Sequence, residues 1–321
     1  MYNFIKPIKF VKPKKPNKTS GVVVLNTDDG ELRNYTHWLP WFWAYKMQNN
    51  QFIDNKPLRG LSPNINTAFV GGRLQGYGRP MMSWEQIKHM YRLGSDMQSH
   101  GRRHLYYSYL KLQKDVSVGE TFIEYDRSTN SVKSGMSYLI EENDIVERVV
   151  IKEHRVNEEA LAELVNPLTN SFTTNATIHI TEESAIEDLQ GCLDDLHEQG
   201  LDAKHHVNPW YNSSNRTREW QKEIFVSVLS AMRDIDKPED VVLDSIRRAP
   251  KAIPLLTYDE IDEYLLETRT NDGALFVVGH GETDEKTREN MKYLINKASE
   301  LGIEFVTHDE AVQHLIDKGA K

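Results

Sequence analysis

Two adjacent carboxylates, Asp28 and Asp29, stand at the end of the apolar run Gly21-Val22-Val23-Val24-Leu25-Asn26. Carboxylates so placed can divide labour, one facing a metal ion and the other a bound water as general base. Asp-Asp-Gly is also good turn chemistry, so the pair alone leaves both readings open. A second group is His100 and His104, within Ser99-His100-Gly101-Arg102-Arg103-His104. Histidines spaced this way share one face of a helical turn, so both imidazoles can reach a single ion. The chain has 12 histidines, and such a spacing also arises by chance. His280 follows the apolar stretch Ala274-Leu275-Phe276-Val277-Val278 and is flanked by Gly279 and Gly281. An imidazole there can serve as general acid near neutral pH, or be an ordinary loop histidine. A fourth, weaker group is His205 and His206 beside Pro209-Trp210-Tyr211. Aromatic rings beside a strand end can stack on sugar rings, and they are as often plain packing.

The elements around these residues alternate between strand and helix. The run over 21–26 reads as a buried parallel strand, because it is short, apolar and β-branched. Its end is where α/β folds place their chemistry. A helix is expected over 35–45, a second strand over 67–70, and a helix from Ser83 to about Leu93, with Gln86 completing a capping box and Gly94 closing it. A third strand over 96–100 delivers His100. Residues 115–180 differ: alternating segments at 121–125, 138–140 and 148–151 read as a small β-rich insertion, with one short helix over 158–164. Helix–strand alternation then resumes, with helices over 183–199, 218–232 and 284–301. Strands are expected over 203–207, 241–243, 253–256, 274–278 and 304–306. This alternation calls for an α/β barrel or sheet of parallel strands, interrupted once.

The motifs together resemble a known family. Leu25-Asn26-Thr27-Asp28-Asp29-Gly30 is similar to the TFDDG motif that opens polysaccharide deacetylases of the NodB-homology type, carbohydrate esterase family four. Leu93-Gly94-Ser95-Asp96-Met97-Gln98-Ser99-His100-Gly101-Arg102-Arg103-His104 resembles their GHEIGSHTxxH motif, and Met82-Ser83-Trp84-Glu85-Gln86-Ile87 the helix entry before it. The stretch from Ala274 to His280 resembles the late strand that ends in the catalytic histidine, and Phe305-Val306-Thr307 the closing segment. The resemblance implies a deformed parallel (β/α) barrel of about seven units, here interrupted by the β-rich insertion. It implies a divalent metal, usually Zn2+ with Co2+ or Ni2+ as alternatives, held by Asp29, His100 and His104. It also implies Asp28 as the base for the attacking water, His280 as the acid for the leaving amine, and an acetylated polysaccharide as substrate. Substrate contacts are expected from His206, Pro209, Trp210 and Tyr211.

Departures from the pattern mark a divergent member. The family's third motif carries an Arg that orients the base. The run His205-His206-Val207-Asn208-Pro209-Trp210-Tyr211 has none, which leaves Arg216 or a histidine to substitute. The fourth motif, which tunes the catalytic histidine, has no clear match, with Asp244 or Arg247 as candidates. Glu31 stands where the family often has Pro. A different class of reading is a glycan-binding or structural module of a larger assembly, such as a phage tail, that kept the fold and lost turnover.

The bulk properties bound these readings. The 321 residues carry a formal net charge of -9, which argues against nucleic acid as the main partner. Cys192 is the only cysteine, so an intrachain disulfide and a thiolate metal site are both excluded. No apolar run approaches the roughly 20 residues that span a bilayer. Residues 1–20, rich in Lys and Pro, lack the apolar stretch of a secretory signal and read as a basic arm. The expected organisation is thus an arm over 1–20, a barrel over 21–114 and 181–321, and an insertion over 115–180. The arm or the insertion would serve an assembly partner. The place of action, outside the cell or in the cytoplasm, is left open by the sequence.

Overall fold

The structure is a computed structural model, and it describes residues 21–49, 56–74, 78–126, 132–156, 160–232, 242–243, 246–249 and 251–321. The expected basic arm, the candidate Asp244 and the side chain of the candidate Arg247 lie outside the described residues. So does the first residue of the strand expected over 241–243.

The first strands and helices are β1 (Val22–Thr27), α1 (Leu39–Gln48), β2 (Leu61–Ile65), α2 (Trp84–Arg92) and β3 (Gln98–Ser99). Six strands follow: β4 (Leu110–Lys111), β5 (Phe122–Glu124), β6 (Ser137–Glu142), β7 (Ile145–Val156), β8 (Ala160–Leu164) and β9 (Thr177–Ile180). The rest of the chain supplies α3 (Glu182–Glu198), β10 (His205–Val207), α4 (Asn215–Ile224), β11 (Ser227–Met232), β12 (Ile246–Arg248), α5 (Tyr258–Asn271), β13 (Ala274–Gly279), α6 (Glu285–Leu301), β14 (Glu304–Phe305) and α7 (His308–Asp317).

Eight strands form one sheet in the order β12-β11-β10-β3-β2-β1-β13, with β14 also paired to β1. Every one of these pairings is parallel. The sheet curls until its two ends approach, where the Ala249 N–H donates to the Phe276 carbonyl at 2.8 Å. The fold is therefore the deformed parallel barrel expected. Along β1 the side chains alternate. Val23 and Leu25 join the large core shared with the helices. Val22 and Val24 join a separate cluster with Val207, Leu229, Ile246 and Phe276, and this cluster fills the barrel. Ala311, Val312 and Leu315 of α7 seal its base. The same parity carries Asn26 and then Asp28 toward the opposite mouth, so period-two alternation aims a carboxylate at the carboxyl ends of the strands.

Strands β4 to β9 make a second sheet, ordered β4-β9-β6-β7-β8-β5 and antiparallel throughout. Its first strand, at Leu110, lies ahead of the expected insertion. Its buried residues, among them Tyr138, Ile140, Val149 and Ile178, belong to the same core cluster as the barrel's outer layer.

Several local expectations need correction. The second barrel strand is Leu61–Ile65, and Thr67–Phe69 is a 3-10 turn. Pro63 and Asn64 hide the strand from a hydrophobicity pattern, yet all five of its residues are buried. Residues Ala160–Leu164 form a strand where a helix was expected. Ala162 and Leu164 are buried and alternate with less buried neighbours, the period of a sheet. The helix expected over 218–232 ends at Ile224, and Ser227–Met232 is a strand. Ile253–Leu255 is a 3-10 turn. The Ser83–Gln86 capping box forms as expected, and Gly94 follows the helix end with φ 101°.

Candidate active site

Five side chains meet at the carboxyl ends of the barrel strands. Asp28 and Asp29 leave β1, His100 leaves β3, His104 follows on the same loop, and His280 leaves β13. They line a cavity of about 240 Å3 together with Arg79, Trp210, Tyr211 and Glu282. The described residues of 115–180 supply none of these lining side chains.

Asp29, His100 and His104 form a tight group, with one potential ligand atom from each lying within 4.8 Å of the others. Asp29 Oδ1 lies 3.5 Å from His100 Nε2 and 3.2 Å from His104 Nε2. That oxygen is buried and accepts no hydrogen bond. His100 Nδ1 is 2.7 Å from the Val207 carbonyl, which can only accept, so Nδ1 donates there and Nε2 faces Asp29. Burial pushes the His104 pKa down, against the pull of Asp29, which favours a neutral ring. Burial opposes ionisation of Asp29, but His104 and His100 hold its carboxyl well below the usual range. A buried carboxylate oxygen facing two imidazole nitrogens is stabilised by positive charge between them, whether a proton or a cation. One oxygen and two nitrogens, buried and convergent, therefore fit a divalent cation with borderline ligand preference.

The expected helical turn between the two histidines does not form. Residues 100–104 are a loop, with Gly101 at φ 72° and His104 at φ 58°. Asp188 of α3 holds it. Its fully buried carboxylate accepts the Arg102 N–H at 2.9 Å, the Arg103 N–H at 3.0 Å and the Tyr107 hydroxyl at 2.7 Å. Burial nevertheless pushes the Asp188 pKa up to about 6. Asn66 adds side-chain hydrogen bonds to the carbonyls of His100 and Gly101.

Asp28 is buried, and its Oδ1 accepts a hydrogen bond from Asn64 Nδ2 at 2.6 Å. Its Oδ2 lies 3.7 Å from His280 Nε2. The carboxylate is thus held by an amide on the next strand. Arg216, one of the two expected kinds of substitute, instead contacts His179 and Glu141, away from the cavity. His280 Nε2 is also 2.9 Å from the Tyr211 hydroxyl, and its Nδ1 is 3.5 Å from Glu282 Oε1. Glu31 is buried between two guanidiniums, with Arg33 at 2.7 Å and Arg79 closer still, which pins Arg79 at the cavity wall.

The turn after β10 supplies the remaining wall. Trp210 packs on His104 with ring centroids 5.2 Å apart. Trp210 and Tyr211 have φ of 61° and 57°, and Asp29 has 70°. Among the described residues, six non-glycine positions have positive φ, and four of them, counting His104, are in this site. For Trp and Tyr that region is sterically costly, so strain is concentrated where side chains are being aimed. Of the expected substrate contacts, Trp210 and Tyr211 line the cavity, whereas Pro209 is buried at the turn and does not. His206 is fully buried, stacked on Phe225 at 4.9 Å and 3.1 Å from Ser99 Oγ, and it does not line the cavity. Burial and the nearby His100 push its pKa down to about 3.

Asn64, Arg79, Asp188 and Glu282 were not singled out from the sequence. Asp188 did leave a signal: it interrupts the apolar stripe of Ala185, Leu189, Cys192 and Leu196, and a carboxylate on a buried helix face needs partners. Glu282 stands two residues beyond His280.

No family model matches the sequence, and no curated protein matches it. Similar solved structures include the family 4 carbohydrate esterase from Streptomyces lividans in complex with acetate. It is 10% identical, with 89% of this chain and 92% of that chain covered and a TM-score of 0.44. The deacetylase domain of BpsB from Bordetella bronchiseptica is 14% identical, with 79% and 72% covered and a TM-score of 0.40. The peptidoglycan deacetylase PdaC from Bacillus subtilis is 11% identical, with 93% of each chain covered and a TM-score of 0.39.

Proposed function

We propose that the chain is a divergent metal-dependent polysaccharide deacetylase, hydrolysing acetyl groups, foremost the N-acetyl groups of amino sugars. The observation that supports this most directly is the convergence of Asp29, His100 and His104 in one cavity with Asp28 and His280 beside them. A divalent cation bound by that trio, foremost zinc with cobalt or nickel as alternatives, would supply Lewis-acid charge to the acetyl oxygen and acidify water. Asp28, braced by Asn64, is the base that removes a proton from the attacking water. His280, on the far side of Asp28, donates a proton to the nitrogen as the C–N bond breaks, and acetate and a free amine result. Trp210 and Tyr211 are the cavity walls against which the sugar rests. His206 has a packing role behind His100.

Acetate release from acetylated chitooligosaccharides and peptidoglycan tests the reading, measured after chelation and again after zinc or cobalt is added back. Release that disappears with chelator and returns with metal is the expected result. Metal bound in stoichiometric amount with no release from any acetylated glycan would count against turnover and leave a glycan-binding module. His100→Ala and His104→Ala should lose metal and activity together, and Asp28→Asn should keep metal and lose turnover.

A further inference from the structure

The segment 279–282 is folded more tightly than delivery of one histidine requires. Gly281 has φ 73°, and a Cβ there would lie 2.9 Å from Asn34 Oδ1. A Cβ on Gly279 would lie 2.1 Å from a ring carbon of Trp38, whose Nε1 donates to the Glu282 carbonyl at 2.7 Å. Two glycines and one indole thus bend the chain so that Glu282 turns back on His280. Its Oε2 accepts the His280 backbone N–H at 2.8 Å, and its Oε1 faces Nδ1 at 3.5 Å.

We infer that Glu282 is the positioning residue of His280, keeping the proton on Nδ1 and presenting Nε2 to the cavity; the kinetic part of this inference rests on the deacetylase reading. A carboxylate beside Nδ1 can only accept, so Nδ1 carries hydrogen in both the neutral and the charged ring. Nε2 is then the nitrogen that gains and loses the proton. It faces the Tyr211 hydroxyl at 2.9 Å and Asp28 Oδ2 at 3.7 Å, on the reactive side. The charged and titratable groups around the ring are Asp28 and Asp29 after β1, His104 after β3, Tyr211 after β10, Glu282 on its own turn, and Arg79 across the cavity. Burial opposes protonation of His280, but Glu282, then Asp28 and Asp29, outweigh it and raise the pKa to about 9. In the reaction Glu282 exchanges no proton. The Nε2 proton passes to the departing nitrogen, and the Nδ1 proton stays in its bond toward the carboxylate.

Glu282→Gln separates positioning from support of the fold, because the amide oxygen can still accept the His280 N–H while the charge is gone. The ring is followed by 15N NMR in the metal-free protein, wild type and E282Q, with circular dichroism confirming the fold. Wild type should show Nδ1 as the protonated nitrogen of the neutral ring. In E282Q the pKa should fall by roughly one, a tenfold loss of protonated ring above it. With metal content unchanged, kcat should fall roughly 10- to 100-fold while KM holds, and the basic limb of the pH–rate profile should move to lower pH. Glu282→Asp should recover part of the loss. A neutral wild-type ring protonated on Nε2, or an E282Q ring whose tautomer and pKa match wild type, would overturn the inference, and the first of these needs no variant to fold. Should the NMR changes appear while no acetylated glycan is turned over, the positioning role stands and the deacetylase reading fails.

Discussion

On the proposed metal-dependent reading, Asp188→Ala should weaken metal binding from a position that touches none of the proposed ligands. The Asp188 carboxylate is fully buried and accepts four hydrogen bonds, two from the backbone of the loop between His100 and His104, one from the Tyr107 hydroxyl and a long one, 3.5 Å, from Arg103 Nη1. Hydrogen bonds to a buried charge contribute about 1.5–3 kcal/mol each. The burial that lifts the Asp188 pKa to about 6 opposes them, at about 1.4 kcal/mol for each tenfold change in proton affinity. Truncation leaves buried donors unpaired, which costs about 1–3 kcal/mol. The loop residues His104 and Gly101 sit at positive φ, so a freed loop relaxes away from the ligand geometry. Metal affinity should fall roughly 10- to 100-fold, as for other supports of ligating residues. The assay is chelator competition for zinc, paired with urea denaturation of the metal-free protein. Its pH dependence gives a second readout. A native pKa of about 6 exceeds the unfolded value of about 3.9, so the native state binds more protons between them. The Asp188 contribution to stability therefore falls as pH rises through that window and is flat above it, and Asp188→Asn should remove this slope. A variant that loses stability but binds metal within twofold of wild type would refute the claim that Asp188 organises the ligand loop.

Asn64→Ala should retain metal and lose roughly tenfold in kcat, because Asp28 loses its brace at Oδ1, and Asn64→Asp should move the acid limb of the pH–rate profile upward through like-charge repulsion. Unchanged kinetics in both would remove Asn64 from the support of the proposed base. Lys46 is buried, with its ammonium donating to the Arg59 carbonyl at 2.6 Å, and burial, then Arg59, lower its pKa to about 7. The unfolded lysine binds more protons between about 7 and about 10.4, so stability should rise with pH across that window. Lys46→Met should flatten that rise in urea titrations, and an unchanged slope would show that the lysine titrates normally. Gly281→Ala should destabilise by about 1–3 kcal/mol in thermal or urea denaturation, given its φ of 73° and the close Asn34 Oδ1. It should also reduce activity beyond the stability loss, and a fully active, equally stable variant would contradict the tight turn at 279–282.

Much of the barrel was legible because its cues are local. The runs Val22-Val23-Val24-Leu25 and Leu275-Phe276-Val277-Val278 are apolar and short, and each ends in a chemical residue, so strand and site announced themselves together. The Ser83–Gln86 box and the amphipathic α3 and α6 carry their own start signals. Residues Leu61–Ile65 escaped because Pro63 and Asn64 break the apolar pattern, although the strand is buried between β1 and β3 and the Asn64 amide finds Asp28. Residues 218–232 escaped because a helix and a strand follow one another with only two residues between them.

The site divides the same way. Residue type and order along the chain were enough to single out Asp28, Asp29, His100, His104 and His280, since a carboxylate or imidazole at a strand end is informative without its neighbours. What Asn64, Arg79, Asp188 and Glu282 do was decided only by tertiary structure. Their side chains are common types, and each acquires its role from a partner brought to it by the fold: Asn64 from Asp28 on the adjacent strand, Arg79 from Glu31, Asp188 from a loop 85 residues away. Glu282 acquires its role from His280 only because Gly281 can adopt φ 73° and reverse the chain. The packing of His206 against Phe225 was likewise invisible in the order of residues. A histidine beside a strand end points into the cavity or behind it according to the pleat, and the register of β10 against β3 and β11 sets that direction.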